Sequence, residues 1–63
     1  MFKKADIDAL FDELDQEWRG KPEFDRISRE AHLGIALYDA GRPLQGKIDQ
    51  RVVALIEKHK PTS

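Results

Sequence analysis

Five apolar residues in the first third of the chain recur at helical spacing, and residues that end a helix follow them directly. At about 100° per residue the five side chains lie on one face of a helix, which predicts a helix with a single buried face. Gly20 suits the left-handed position after the last turn, and Pro22 cannot continue the helix. We therefore predict a first helix over about 6–19, with Asp6 as its N-cap. The five apolar residues are Ile7, Leu10, Phe11, Leu14 and Trp18.

A second apolar set at the same spacing is closed by Gly41 and Pro43. It predicts a helix over about 22–40, with Pro22 in the first turn, where a missing N–H group costs nothing. The members of this set are Phe24, Ile27, Ala31, Ile35 and Tyr38.

A third set predicts a helix over about 45–59, starting between Leu44 and Lys47, although Gly46 would cost about 1 kcal/mol inside it. Its members are Ile48, Val52, Leu55, Ile56 and His59. The connections between the three helices are short, which favours antiparallel neighbours. The expected fold is therefore all-α, a small bundle of three short antiparallel helices.

The length of 63 residues allows one small domain, with residues 1–4 and 61–63 expected to fray at its ends. A chain of this size buries only about 60% of the surface that its unfolded form exposes, so its core is small. Proteins of this size often gain stability from disulfides, a metal or self-association. Because the chain contains no cysteine and only two histidines, self-association or binding to a partner is the supplement that remains.

Two leucines of the second helix lie outside its main apolar face. Leu33 and Leu37 are one turn apart and roughly opposite that face, so this half of the helix is apolar on two sides. Either the first and third helices cover both sides, or the two leucines contact another molecule. The second interpretation predicts a homodimer formed through Leu33 and Leu37, which would complete the bundle.

Charge is distributed unevenly along the chain, although the net charge is only −1. The first twenty residues carry six acidic and three basic side chains, so their surface is acidic. Asp12, Glu13 and Glu17 flank the apolar face of the first helix and are candidates for contact with a basic partner protein.

Basic residues in the third predicted helix suggest an alternative function. Lys47, Arg51 and Lys58 fall on one side of that helix, where they could follow a phosphate backbone, as in a small DNA-binding regulatory protein. A second interpretation is that these cations face the acidic flank of the first helix. Few neighbouring side chains are suited to reading base edges, so nucleic acid is the less favoured partner.

The residue types point away from catalysis. The paired carboxylates of the first helix lie on a solvated surface, and no cysteine or Ser/His/Asp arrangement offers a nucleophile. The two histidines suit structural positions, and no cofactor or metal site is expected. Without a membrane-spanning apolar run, we expect a cytoplasmic protein with no membrane partner. The sequence thus favours a non-enzymatic protein–protein interaction or regulatory module.

Overall fold

The computed structural model of this chain describes residues 1–61, which form three helices packed against one another. Helix α1 is Lys4–Trp18, α2 is Phe24–Asp39 and α3 is Gln50–His59. Helices account for 67% of this part of the chain, and none of it is strand. The prediction of an all-α three-helix bundle is confirmed.

The start of α1 differs from the prediction. Lys3 is the N-cap, and Asp6 lies in the first turn, where its Oδ2 accepts a hydrogen bond of 3.1 Å from the Lys3 N–H group. A carboxylate three residues into a helix can reach back to the capping residue in this way. Asp6 therefore stabilises the helix start from inside the helix and is not its N-cap.

Phe2 anchors the N-terminal end, in contrast to the fraying expected for residues 1–4. Its side chain is buried, and its ring packs edge-on against the Tyr38 ring with centroids 5.2 Å apart. Its backbone N–H group donates to Asp39 Oδ1 at 2.8 Å. These contacts place the start of α1 beside the end of α2, so the two helices are antiparallel. Of the end expected to fray at 61–63, residues 62 and 63 lie outside the described part.

A tight turn joins α1 to α2. Gly20 adopts the predicted left-handed conformation (φ +83°), and the Lys21 N–H group donates to the Trp18 carbonyl. Pro22 lies in the next turn, which the Phe24 N–H group closes on the Lys21 carbonyl. Proline's fixed φ suits this turn position, so α2 begins two residues later than predicted.

The end of α2 follows the prediction closely. Gly41 has a φ of +72°, and its N–H group donates to the Tyr38 carbonyl at 3.0 Å. The next residue, Arg42, donates its N–H group to the Leu37 carbonyl at 2.9 Å. This pair of bonds is the Schellman motif, which satisfies the last carbonyl groups of the helix and reverses the chain.

The segment 40–49 is longer than the short link expected, and α3 begins at Gln50 instead of between Leu44 and Lys47. Gly46 has a φ of +77° in a turn closed by the Lys47 N–H group and the Leu44 carbonyl. The helix starts only where Asp49 caps it, since Asp49 Oδ1 accepts from the Arg51 N–H group at 2.8 Å.

The same segment determines the direction of α3. It returns along α2, and the Asp49 N–H group donates to Glu30 Oε1 at 2.5 Å. Arg51, in the first turn of α3, contacts Trp18 at the end of α1 and Glu23 at the start of α2. The helix α1 is therefore antiparallel to both others, while α2 and α3 have their N-terminal ends on the same side of the molecule. The prediction that successive helices are antiparallel is wrong for α2 and α3, because the segment 40–49 is long enough to carry the chain back along α2.

All three helices and the segment 40–49 contribute to one core, as does Phe2 before α1. Gly34 lies between α2 and α3, opposite the side chains of Ile48 and Ile56. The buried apolar residues are Phe2, Leu10, Leu14, Trp18, Ile27, Ala31, Ile35, Leu44, Ile48, Val52, Val53, Leu55 and Ile56.

Candidate interaction surfaces

An apolar cleft lies between α2 and the segment 40–49, and we call it the leucine cleft. Its walls are Leu33, Leu37 and Pro43, with Arg42 and Lys47 at its edges, and its volume is about 360 Å³. Leu33 is 49% exposed, whereas Leu37 is partly buried against the core. The cleft exists because the turn at the end of α2 brings residues 42 and 43 back beside Leu37.

The cations beside this cleft have no acidic partner in the described part of the chain. Within residues 1–61, neither Arg42 nor Lys47 forms an ion pair, and the same is true of Arg29, one turn before Leu33 on α2. The other three arginines pair with carboxylates, and they are Arg19, Arg26 and Arg51. The unpaired arginines thus lie on the side of α2 that carries the cleft.

The three acidic residues predicted to meet a basic partner do not share one surface. Glu13 is engaged within the molecule, because Lys58 Nζ lies 2.9 Å and His59 Nε2 2.8 Å from its Oε1. The hydrogen bond from Lys58, and then that from His59, holds the pKa of the Glu13 carboxyl below its usual value. Glu17 borders the same α1–α3 groove, whereas Asp12 faces the groove between α1 and α2.

The predicted basic side of the third helix is not continuous. Lys47 lies in the segment before α3, Lys58 pairs with Glu13, and Arg51 lies over the Trp18 ring at 4.5 Å from its centroid. Arg51 also pairs with Asp49 at 2.8 Å and with Glu23 at 3.1 Å. Lys58 thus meets the acidic flank of the first helix, as the second interpretation predicted, whereas Arg51 is held by two acids outside α1 and by the Trp18 ring.

Five charged residues form a network where α2 and α3 begin. Arg26 bridges Glu23 at 2.8 Å and Glu30 at 2.7 Å, and it approaches Asp49 at 3.5 Å. Arg51 completes the network, and its hydrogen bonds hold the pKa of the Asp49 carboxyl well below the usual value. Each of the five groups has an opposite charge within reach, so we assign the network a structural role at the start of α2 and α3.

The two histidines occupy structural positions in the described chain. The His32 ring stacks against Phe11 with centroids 4.5 Å apart, and His59 bonds to Glu13. Across residues 1–61, no three His, Asp or Glu side chains are grouped so that they could hold a metal ion.

Sequence reasoning identified the leucines of the cleft but missed Arg29, Arg42 and Pro43 around them. The signal for the last two was the Gly-x-Pro ending of α2, because a Schellman turn brings the following residues back beside the last helical turn. Arg29 could have been found by its spacing of four residues from Leu33.

Comparison with known proteins adds no functional lead. No protein-family model matches this chain, and no curated protein or solved structure is significantly similar to it. In the described residues, none of the helices combines the length and the apolar character needed to cross a membrane. A functional proposal must therefore come from the surfaces themselves.

Proposed function

We propose that this protein is a non-enzymatic interaction module whose leucine cleft binds an apolar protein segment with acidic flanks. The observation that carries the proposal is the combination of an apolar cleft with cations that have no partner in the described chain. The cleft supplies apolar surface that a partner can cover, and the cations favour a partner with acidic side chains.

The apolar part of the cleft supports binding by burial. Leu33 remains half-exposed after folding, and covering apolar surface is favourable by roughly 25 cal/mol per Å². Leu37 and Pro43 extend this surface, and the aliphatic stems of Arg42 and Lys47 continue it at the edges. A cleft of about 360 Å³ has room for apolar side chains of a partner helix.

The charge at the edge of the cleft supports an acidic partner. Arg29, Arg42 and Lys47 would each gain a carboxylate partner in such a complex, and complementary charge accelerates association and excludes wrong partners. A symmetric homodimer through Leu33 and Leu37 is the competing proposal. It would bring the cations of both copies together, which is unfavourable.

The DNA-binding alternative receives less support. Arg51 and Lys58 would have to leave their carboxylates before contacting phosphate. Of the three predicted cations, only Lys47 has no ion-pair partner within residues 1–61, and it borders an apolar cleft.

The test uses two synthetic helical peptides that differ only in charge. Both carry leucines four residues apart, and the leucines are flanked by glutamates in one peptide and by lysines in the other. We expect the glutamate peptide to bind in the micromolar to millimolar range and to shift the amide NMR signals of residues 29–47. Because the cleft is basic at its edges, the lysine peptide should bind at least about 10-fold more weakly.

Leu33→Glu should abolish binding of the glutamate peptide, because it places a charge in the cleft without disturbing the core. The matched control is Ala54→Glu, which adds the same charge at an exposed position of α3. The proposal is overturned if neither peptide shifts these signals, or if both peptides bind with equal affinity.

A further inference from the structure

We infer that the segment which enters the leucine cleft belongs to a second copy of this chain, namely the exposed side of α1 at Ala5, Asp8, Ala9 and Asp12, here called the acidic edge. This inference rests on the proposed function of the cleft. It names the occupant as part of the chain's own surface and predicts a head-to-tail contact between copies.

The acidic edge complements the cleft in charge and carries two small apolar side chains. All four of its residues are exposed, and the two alanines allow another surface to approach the helix closely. Asp12 has no ion-pair partner within residues 1–61, and Asp8 is held only by Lys4 in a pair exposed to solvent. An exposed pair of this kind is weak, so Asp8 can exchange Lys4 for a cation of another copy.

Charge complementarity selects this edge as the occupant. Within residues 1–61, the charged side chains beside the cleft that lack an ion-pair partner are cations. On the acidic edge, the side chain that lacks one is the carboxylate of Asp12. Joining cleft to edge would place Ala9 against Leu33 while Asp12 meets Arg42 or Lys47. Joining cleft to cleft, or edge to edge, would instead oppose like charges.

The two surfaces can be used at the same time. The acidic edge borders the groove that α1 forms with Phe24 and Ser28 of α2. At about 100° per residue these two residues lie on the side of α2 opposite Leu33 and Leu37. One copy can therefore contact one neighbour through its acidic edge and another through its leucine cleft. Such a contact is heterologous, and it produces a growing chain of copies unless the chain closes into a ring.

Sedimentation velocity of the wild-type chain at rising concentration measures this association. We expect the average mass to increase beyond that of a dimer at high concentration and to fall when salt is added, because the contact depends on charge. Leu33→Glu removes the cleft and Asp12→Arg removes the edge, so each variant alone should stay monomeric. An equimolar mixture of the two should form a one-to-one dimer that grows no further, since it retains one intact cleft and one intact edge.

The controls are Ala54→Glu and Glu57→Arg, which make the same charge changes on exposed positions of α3 and should associate like the wild type. Circular dichroism of every variant verifies that it is folded. If the Asp12→Arg variant still forms a dimer, the head-to-tail contact is wrong and the symmetric contact through Leu33 and Leu37 is favoured. A wild-type chain that stays monomeric while the glutamate peptide binds would overturn this inference alone. A chain that neither associates nor binds the peptide would overturn the proposed function as well.

Discussion

Gly34 allows α3 to pack directly against the backbone of α2. A Cβ atom added at this position would overlap the Ile56 side chain and lie 2.7 Å from Ile48 Cδ1. Both isoleucines are buried, so their Cδ1 atoms would have to move within a packed core. A glycine in the middle of a helix costs about 1 kcal/mol in helix propensity, and here the close approach of the two helices offsets that cost.

The contact at Gly34 predicts coupling between two substitutions. Gly34→Ala gains about 1 kcal/mol of helix propensity but overpacks the core, which costs about 1–3 kcal/mol, so we expect net destabilisation. Ile56→Val alone should cost about 0.5–1.5 kcal/mol, but it deletes the methyl group that the new Cβ would overlap. The double variant should therefore be more stable than the sum of the single effects predicts. Urea unfolding of the four proteins measures the coupling, and strictly additive effects would contradict this account.

At the scale of the helices, charged side chains determine how the ends meet. Arg51 joins all three helices, since it lies over Trp18 of α1, pairs with Glu23 beside α2 and bonds to Asp49 at the start of α3. At the other end of α3, Glu13 receives hydrogen bonds from Lys58 and His59. The short helices are thus held in position by contacts near their ends as well as by the apolar core.

These contacts predict loss of stability in acid. Hydrogen bonds from Arg51 and Arg26 lower the pKa of Glu23, and the pKa values of Glu13 and Asp49 are lowered in the same sense. A carboxyl group with a lowered pKa in the folded state stabilises it above the unfolded pKa of about 4, and this contribution disappears as the pH falls through the folded value. We expect the melting temperature, followed by circular dichroism, to fall from about pH 4 downwards.

Glu13→Gln should reduce this acid-induced fall, because it removes one of the three responsible carboxyl groups. The control, measured at a concentration at which the chain is monomeric, is Asp12→Asn, which removes a carboxyl group that forms no ion pair within residues 1–61 and should leave the fall unchanged. A melting temperature that is constant down to about pH 2 would contradict a stabilising role for these ion pairs.

For the whole molecule, flatness explains why an apolar surface remains uncovered. The Cα atoms span 33 × 25 × 14 Å, and three short helices in such a shape leave part of α2 at the surface. Leu33 is accordingly half-exposed although its helix contributes to the core. Arg42 and Lys47, which form no ion pair within residues 1–61, lie beside this uncovered part, whereas Arg51 and Lys58 are paired within the fold.

This distribution of cations predicts weak binding to duplex DNA. Fluorescence anisotropy with a labelled duplex at physiological salt should give no binding tighter than the non-specific range of about 10⁻⁴ to 10⁻⁶ M. The reason is that two of the three candidate cations already have carboxylate partners. Submicromolar binding that Arg51→Glu abolishes would instead favour the DNA-binding alternative.

Features that depend on neighbours within about one or two helical turns could be predicted from residue spacing. The spacing of the apolar residues predicted three helices and most of their buried positions. Gly20 and Gly41 marked the ends of α1 and α2, because these positions require positive φ angles that glycine adopts readily. The two leucines outside the main apolar face predicted a second apolar surface on α2.

Features that join distant parts of the chain became visible only in the folded molecule. The start of α3 depends on Asp49, which bonds to Glu30, and the anchoring of Phe2 depends on Asp39. Whether a basic residue forms an ion pair depends on how the helices pack. Lys58, for example, donates a hydrogen bond to Glu13, which is 45 residues away in the sequence. Periodicity reports which face of a helix is buried, but it does not specify which distant side chain that face will meet.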